Sequence, residues 1–139
     1  MKAYISVSYN NRRNISKILK AITETLQDAG VSPFVFVDTY TFPVAEEKQM
    51  MAQAMHDIDA CGILIAEVSD KAIGIGVEAG YAKAKGIPVI YIRQKDAEHS
   101  TTMAGISDYQ IFYKDDIDLK NKLSEIIRQI ILQKKVAPK

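Results

Sequence analysis

The sequence predicts an α/β fold: a single three-layer domain built on a five-stranded parallel sheet. Three observations carry this. Strand-like and helix-like segments alternate along the whole chain, with no repeat, linker or low-complexity tract between them. Two strand segments, 62–66 and 88–92, are continuous apolar runs, the pattern of strands covered on both faces. At 139 residues the chain can bury one sizeable core and is too short for two.

The elements follow in order. Tyr4-Ile5-Ser6-Val7-Ser8 is short, β-branched and aromatic, and runs into the turn-like Tyr9-Asn10-Asn11. Ile15, Ile18, Leu19, Ile22 and Leu26 recur at helical spacing, and Ala29-Gly30 ends that helix. Phe34-Val35-Phe36-Val37 reads as a second strand, followed by an aromatic-containing loop over 39–43. Residues 45 to about 59 read as a helix with Met50, Met51, Ala54, Met55 and Ile58 as its buried stripe. After the third strand, 67–76 reads as a loop and 77–85 as a helix stopped by Gly86. The fourth strand precedes a polar segment, 95–107, with one helical turn near Thr102-Met103-Ala104. Tyr109-Gln110-Ile111-Phe112-Tyr113 is the last strand, and 116 to about 133 the last helix. The domain is read as 1–135, with 136–139 a tail.

Right-handed crossovers leave few topologies at this size, and the expected strand order is the flavodoxin-like, Rossmann-like 2-1-3-4-5. Ligands of such sheets bind beyond the carboxyl ends of the strands where the winding reverses, here between strands one and three. The segments 6–13 and 67–78 should therefore wall the site.

Composition narrows the function. Lys+Arg is 18 against Asp+Glu 17, for a formal charge of +1, which argues against broad electrostatic binding of nucleic acid. Cys61 is the single cysteine, so no intrachain disulfide and no thiolate zinc cluster can form. Beside a buried strand and without a histidine partner, it reads as a packed thiol. His56 and His99 lack partners at metal-ligand spacing, and no metal is expected. No apolar run approaches the roughly 20 residues of a membrane span. No signal-peptide pattern opens the chain, and the expected location is cytoplasmic.

At the predicted site edge, Gly74 and Gly76 precede a helix whose free amides favour an anion. Glu78 then falls in the first turn, where a carboxylate can simply complement the dipole or, beside small Gly80 and Ala82, be held at a pocket. The glycine spacing fits neither the dinucleotide fingerprint nor a P-loop, so redox and NTPase readings lack their motifs. The first loop offers Ser6, Ser8, Arg12 and Arg13; the arginines can meet a phosphate or form a solvated basic turn. Asp70 lies in the second wall. Tyr4 either packs in the core or points its hydroxyl at the site. Asp57 and Asp59 end a helix at its unfavourable pole for a carboxylate.

Three segments together resemble the nucleoside 2-deoxyribosyltransferase superfamily, which includes the 2'-deoxynucleoside 5'-phosphate N-hydrolases: Ile65-Ala66-Glu67-Val68-Ser69, Gly74-Ile75-Gly76-Val77-Glu78-Ala79-Gly80-Tyr81-Ala82 and Lys85-Gly86-Ile87-Pro88-Val89-Ile90. The resemblance covers about residues 3–113. It implies that Glu78 is the nucleophile attacking the anomeric carbon of a nucleoside or nucleotide, with Tyr4 nearby, no cofactor, and a homodimer that shares residues between sites. The chain departs from the pattern at two places. The family aspartate on the helix before strand three aligns with Ala54, for which Asp57 one turn later is the candidate substitute. A serine before the glycines is Ala72. Ser100-Thr101-Thr102 matches a further serine-bearing segment, so Thr101 and Thr102 join Ser6, Ser8, Asp70, Gly74 and Gly76 as candidate substrate contacts. Two other readings stay open: a non-catalytic nucleotide-binding or sensory module, and a TIR-like enzyme cleaving the glycosidic bond of NAD.

Overall fold

A computed structural model describes residues 1–136. Its five strands are β1 (Lys2–Ser6), β2 (Ser32–Val35), β3 (Ile63–Glu67), β4 (Val89–Gln94) and β5 (Tyr109–Tyr113). All pair in parallel in the order β2-β1-β3-β4-β5, as expected. The helices are α1 (Ser16–Asp28), α2 (Phe36–Thr39), α3 (Glu47–Asp59), α4 (Ile73–Ala84), α5 (Thr101–Ile106) and α6 (Asp116–Val136). Residue 136 thus closes the last helix rather than opening a tail, and the rest of the expected tail, 137–139, lies outside the described residues.

The period of two along each strand divides the core. Ala3, Ile5, Ile63, Ile65, Ile90 and Ile92 face α1 and α6, where they meet Leu19, Ile22, Leu26, Leu119, Leu123 and Ile127. Tyr4, Leu64, Ala66, Val89 and Tyr91 face the other way, onto Ile58, Ile75, Ala79, Ala82 and Met103. Every residue of β3 is buried, as its apolar run requires. Cys61 is a buried, packed thiol whose pKa burial pushes up to about 11.

Three expectations are corrected. The second strand begins and ends earlier than 34–37. It pairs with β1 from Lys2 with Ser32 through Ile5 with Val35, and at Phe36 the chain turns into α2, where the Phe36 ring packs 6.2 Å from Tyr4. Helix α4 starts at Ile73, not near 77, so Gly74 and Gly76 lie inside its first turns with ordinary φ. A Cβ at either would meet nothing within 4 Å, so neither glycine is there for a strained turn or a close approach. On α3 only Ala54 and Ile58 are buried; Met50, Met51 and Met55 lie half-covered, because α3 packs on α4 along a narrow seam.

Glycine's freedom is needed elsewhere. After α1 and α4, Gly30 and Gly86 take φ of 76° and 75°. Gly86 N–H bonds the Lys83 carbonyl at 3.1 Å and Ile87 N–H the Ala82 carbonyl at 2.9 Å, a Schellman ending that aims the chain back into β4. Gly86→Ala should therefore cost about 1 kcal/mol in urea unfolding while leaving the circular dichroism spectrum unchanged.

Candidate active site

Two elements, β1 and α4, meet at the carboxyl end of β1. Tyr4 and Ser6 are two apart and so emerge on the same face of the sheet, toward α4. On α4 the buried stripe is Ile75, Ala79 and Ala82, and Glu78 shares its face, three residues after Ile75 and four before Ala82. Its carboxylate consequently reaches inward. Ser6 Oγ donates to Glu78 Oε1 at 2.8 Å, and the Tyr4 hydroxyl donates to Oε2. Tyr4 satisfies both sequence readings, with a fully buried ring and a hydroxyl that ends on the carboxylate.

The electrostatics follow from this enclosure. Burial raises the Glu78 pKa above the usual carboxylate range, while the hydrogen bonds from Tyr4 and Ser6 pull it back down. The Tyr4 phenol is pushed up, first by burial and then by the Glu78 charge. Glu78 is the sixth residue of α4 and not in its first turn, so dipole complementation does not explain it. Gly74 lies one turn before it on the same face, with open space where a side chain would stand.

The other sequence candidates are divided around this point. Asp57, in the last turn of α3, accepts a hydrogen bond on Oδ1 from Gln53 Nε2 at 3.1 Å. Among the described residues its buried Oδ2 has no hydrogen bond within the usual distance, although the Tyr40 phenol faces the same carboxylate, and the Asp57 charge contributes to the raised Tyr4 pKa. Ser8 and Asp70 bond to each other at 2.7 Å, tying the loop after β1 to the loop after β3. Asp70 also lines a cavity of about 670 Å³ with Asn14, Lys17, Tyr113 and Asp116. Gly76 and Thr102 line a cavity of about 340 Å³ with Lys71, Ala72 and Ser100, between α4 and α5. Thr101 is exposed at the start of α5, whose N-cap is Ser100. Arg12 is not free for a phosphate: it grips Asp38 through Nε and Nη2 at 2.7 and 2.9 Å, while Arg13 is exposed. Asp59 is held by the Tyr81 hydroxyl at 2.8 Å. Among the described residues, no group of three or more His, Cys, Asp or Glu side chains converges to hold a metal ion.

Two features escaped sequence reasoning. Glu67, 1% exposed, accepts from Ser69 N–H at 2.7 Å, Ser69 Oγ at 2.8 Å and the Tyr113 hydroxyl at 2.6 Å. Only its place at the end of an apolar run hinted at burial. The second is a set of aromatic rings beside Tyr4, from Phe34, Phe36, Tyr40 and Phe42. The sequence showed these as parts of a strand and a loop, and their convergence depends on the turn of α2.

Comparison with known proteins bears on the family and the fold. The family model for nucleoside 2-deoxyribosyltransferase matches residues 3–131. A protein of Syntrophotalea carbinolica named "Putative 2'-deoxynucleoside 5'-phosphate N-hydrolase 1" is 31% identical over 105 residues, covering 70% of this chain and 72% of its own. Among solved structures, the Clostridium botulinum CMP N-glycosidase BcmB superposes with a TM-score of 0.67 at 17% identity, over 90% of this chain and 99% of that one. The 2-deoxyribosyltransferase of Bacillus psychrosaccharolyticus gives 0.68 at 16% identity, over 87% and 91%. These last two likenesses speak for the fold.

The Glu78 environment has a measurable signature. Folding raises its pKa, so the native state favours the protonated form, and wild-type stability falls as pH rises from the unfolded value through the folded one. Glutamine has no such proton to lose. Urea unfolding at roughly pH 4 and pH 7 should show Glu78→Gln gaining on the wild type at the higher pH. A difference that does not change with pH would contradict burial as the dominant influence.

Proposed function

This chain belongs to the nucleoside 2-deoxyribosyltransferase family, and on that premise we propose that it cleaves the N-glycosidic bond of a nucleoside or nucleotide, with Glu78 as nucleophile. The observation that carries the proposal is the carboxylate itself: half-buried, pinned by Tyr4 and Ser6, and next to the open space at Gly74.

The chemistry uses these parts in sequence. A Glu78 oxygen attacks the anomeric carbon, and the C–N bond breaks with its electron pair leaving on the base, which takes up a proton. Positive charge builds on the sugar as the base departs, and the adjacent carboxylate stabilises it. Water, or a second base, then attacks the same carbon and releases the carboxylate, giving hydrolysis or transfer. Tyr4 and Ser6 hold the attacking group in one orientation, which removes rotational freedom that the reaction would otherwise have to lose. They also keep its pKa from rising further, so that it is ionised when needed. Asp57 supplies a second carboxylate in place of the family residue that is Ala54 here. The cavity of Gly76 and Thr102 receives the polar side of the sugar, with Thr101 at its rim and Lys71 as a cation for a phosphate. Ser8 and Asp70 brace the two walls of the site.

The active form is proposed to be a homodimer. Ile73 and Val77, 88% and 49% exposed, stand one turn apart on α4 beside the site, and a second copy would cover them. A second reading, binding without turnover, draws on Ala54, which removes the family carboxylate from its usual position.

Incubation with nucleosides, their 5'-monophosphates and NAD, followed by chromatography, should release free base from a nucleoside or nucleotide. Glu78→Gln should lower the rate by at least about a thousandfold, and Tyr4→Phe by about 10- to 100-fold. Mass spectrometry of the wild type mixed with substrate should detect a glycosyl adduct on Glu78. Thermal stabilisation by a nucleotide without base release would favour the second reading, and release of nicotinamide would mark an NAD glycohydrolase. Sedimentation should give twice the monomer mass.

A further inference from the structure

We propose that Glu98 sets the margin by which this site prefers a phosphorylated substrate: it holds Lys71 in the free protein, and a 5'-phosphate entering the cavity between α4 and α5 has to take Lys71 from it. The proposal rests on the reading that this cavity receives the sugar side of a nucleotide.

The cavity is lined for an anion. Lys71 is the single charged side chain among the described residues that line it, beside Ser100, Thr102 and Gly76. Helix α4 begins at its wall with Ala72 as N-cap, a residue with no side-chain oxygen for the first-turn amides. Ser100 Oγ accepts from Met103 N–H at 3.3 Å, which leaves its own proton to donate. A cation, hydroxyls and uncapped amides together suit a phosphate.

The cation is already engaged. Lys71 Nζ donates to Glu98 Oε1 at 2.9 Å, and the Glu98 side chain stands outside the lining, 85% exposed. Lys71 holds the Glu98 carboxyl below the usual carboxylate range, first by that hydrogen bond and then by its charge.

An exposed ion pair is usually weak because two long side chains must be ordered to make it. Here the backbone on both sides is fixed beforehand. On the Lys71 side, Ser8 bonds Asp70 at 2.7 Å and Ser69 N–H bonds Glu67 at 2.7 Å. On the Glu98 side the loop after β4 is pinned by a buried arginine. Arg93 Nη1 donates to the Gln94 and Lys95 carbonyls at 3.1 and 2.9 Å, with its guanidinium 4.0 Å over the Phe112 ring. Ser100 N–H bonds the Tyr91 hydroxyl at 3.1 Å, and Gln94 N–H bonds Ser69 Oγ at 2.7 Å, joining the two loops directly. The fold therefore presents Glu98 to Lys71.

The exchange follows from charge. A phosphate monoester carries about −1.5 to −2 near neutral pH and three acceptor oxygens, against a single charge on the carboxylate. It displaces Glu98, but breaking the pair reduces its affinity by up to about fivefold. A nucleoside presents a neutral hydroxyl and leaves the pair as it is.

Dissociation constants are measured on the Glu78→Gln background for the four common deoxynucleosides and their 5'-monophosphates, and KM and kcat for base release on the wild-type background. Adding Glu98→Gln should tighten the monophosphates by about two- to fivefold and leave the nucleosides unchanged, moving KM and not kcat. Lys71→Gln should weaken the monophosphates, and in its presence Glu98→Gln should add nothing. Asp96→Asn removes an equal charge from an exposed side chain that makes no ion pair with Lys71 among the described residues, and should have less than half the effect. Circular dichroism confirms that each variant folds. The proposal is overturned if Glu98→Gln leaves monophosphate affinity unchanged, tightens nucleosides equally, or keeps its effect without Lys71. An equal effect of Asp96→Asn, or no binding of any monophosphate, also overturns it. Base release with no Glu98 effect leaves Glu78 as nucleophile and removes this exchange. A Lys71-dependent Glu98 effect on binding without base release does the reverse.

Discussion

The site depends on a carboxylate being drawn off the surface of a helix by two hydroxyls on a strand. Left to itself, a glutamate in the second turn of α4 would extend into water. Tyr4 and Ser6 hold Glu78 against the end of β1, at the cost of part of its hydration. Two influences then oppose each other: lost solvent favours the neutral acid, and the two donors favour the anion. A group balanced in this way is less hydrated than a free carboxylate yet still able to ionise, which is the condition a carboxylate nucleophile needs.

The sheet makes this contact unavoidable. Strand parity puts Tyr4 and Ser6 on one face and Ile5 on the other, and the β2-β1-β3 order seats β1 next to the strand that launches α4. The crossover from β3 then lays α4 across the end of β1, so a residue on its inner stripe must meet those hydroxyls. Small residues let it come close: Ala79 and Ala82 are fully buried against the sheet. Gly74 leaves open the space that a side chain one turn above Glu78 would fill. The edge strand adds the neighbouring surface. β2 stops at Val35, one position short of Ser6, and the chain folds Phe36 back onto Tyr4 instead of onward into the sheet.

What could be read in advance followed from local rules. Apolar runs identified β3 and β4, strand–helix alternation gave the parallel order, and Gly30 and Gly86 marked two helix ends correctly because positive φ is a local demand. The motif glutamate and the first-strand tyrosine came from resemblance, and the structure brings them into contact. The failures share a different cause. Gly74 and Gly76 have low helix propensity and so predict a loop, yet the packing of Ile75 and Ala79 carries the helix through them. The end of β2 is not legible in its own window, because Phe36 and Val37 are as strand-like as the residues before them and the turn into α2 packs Phe36 on Tyr4, a contact distant in sequence. Arg12 looked available for an anion until the turn of α2 brought Asp38 to it.

Two enclosed carboxylates, Glu67 and Glu78, lie at the carboxyl edge of the sheet, and the number of donors each receives separates their roles. Glu67 is almost wholly enclosed and takes three hydrogen bonds, two from Ser69 and one from Tyr113. Nothing remains for it to offer a ligand; it fixes the loop after β3 to β5. Glu78 takes two and sits beside open space, so its geometry is set while one side stays approachable. Hydrogen-bond satisfaction therefore falls from the structural carboxylate to the proposed nucleophile, and the difference is what leaves Glu78 a face with which to meet a substrate.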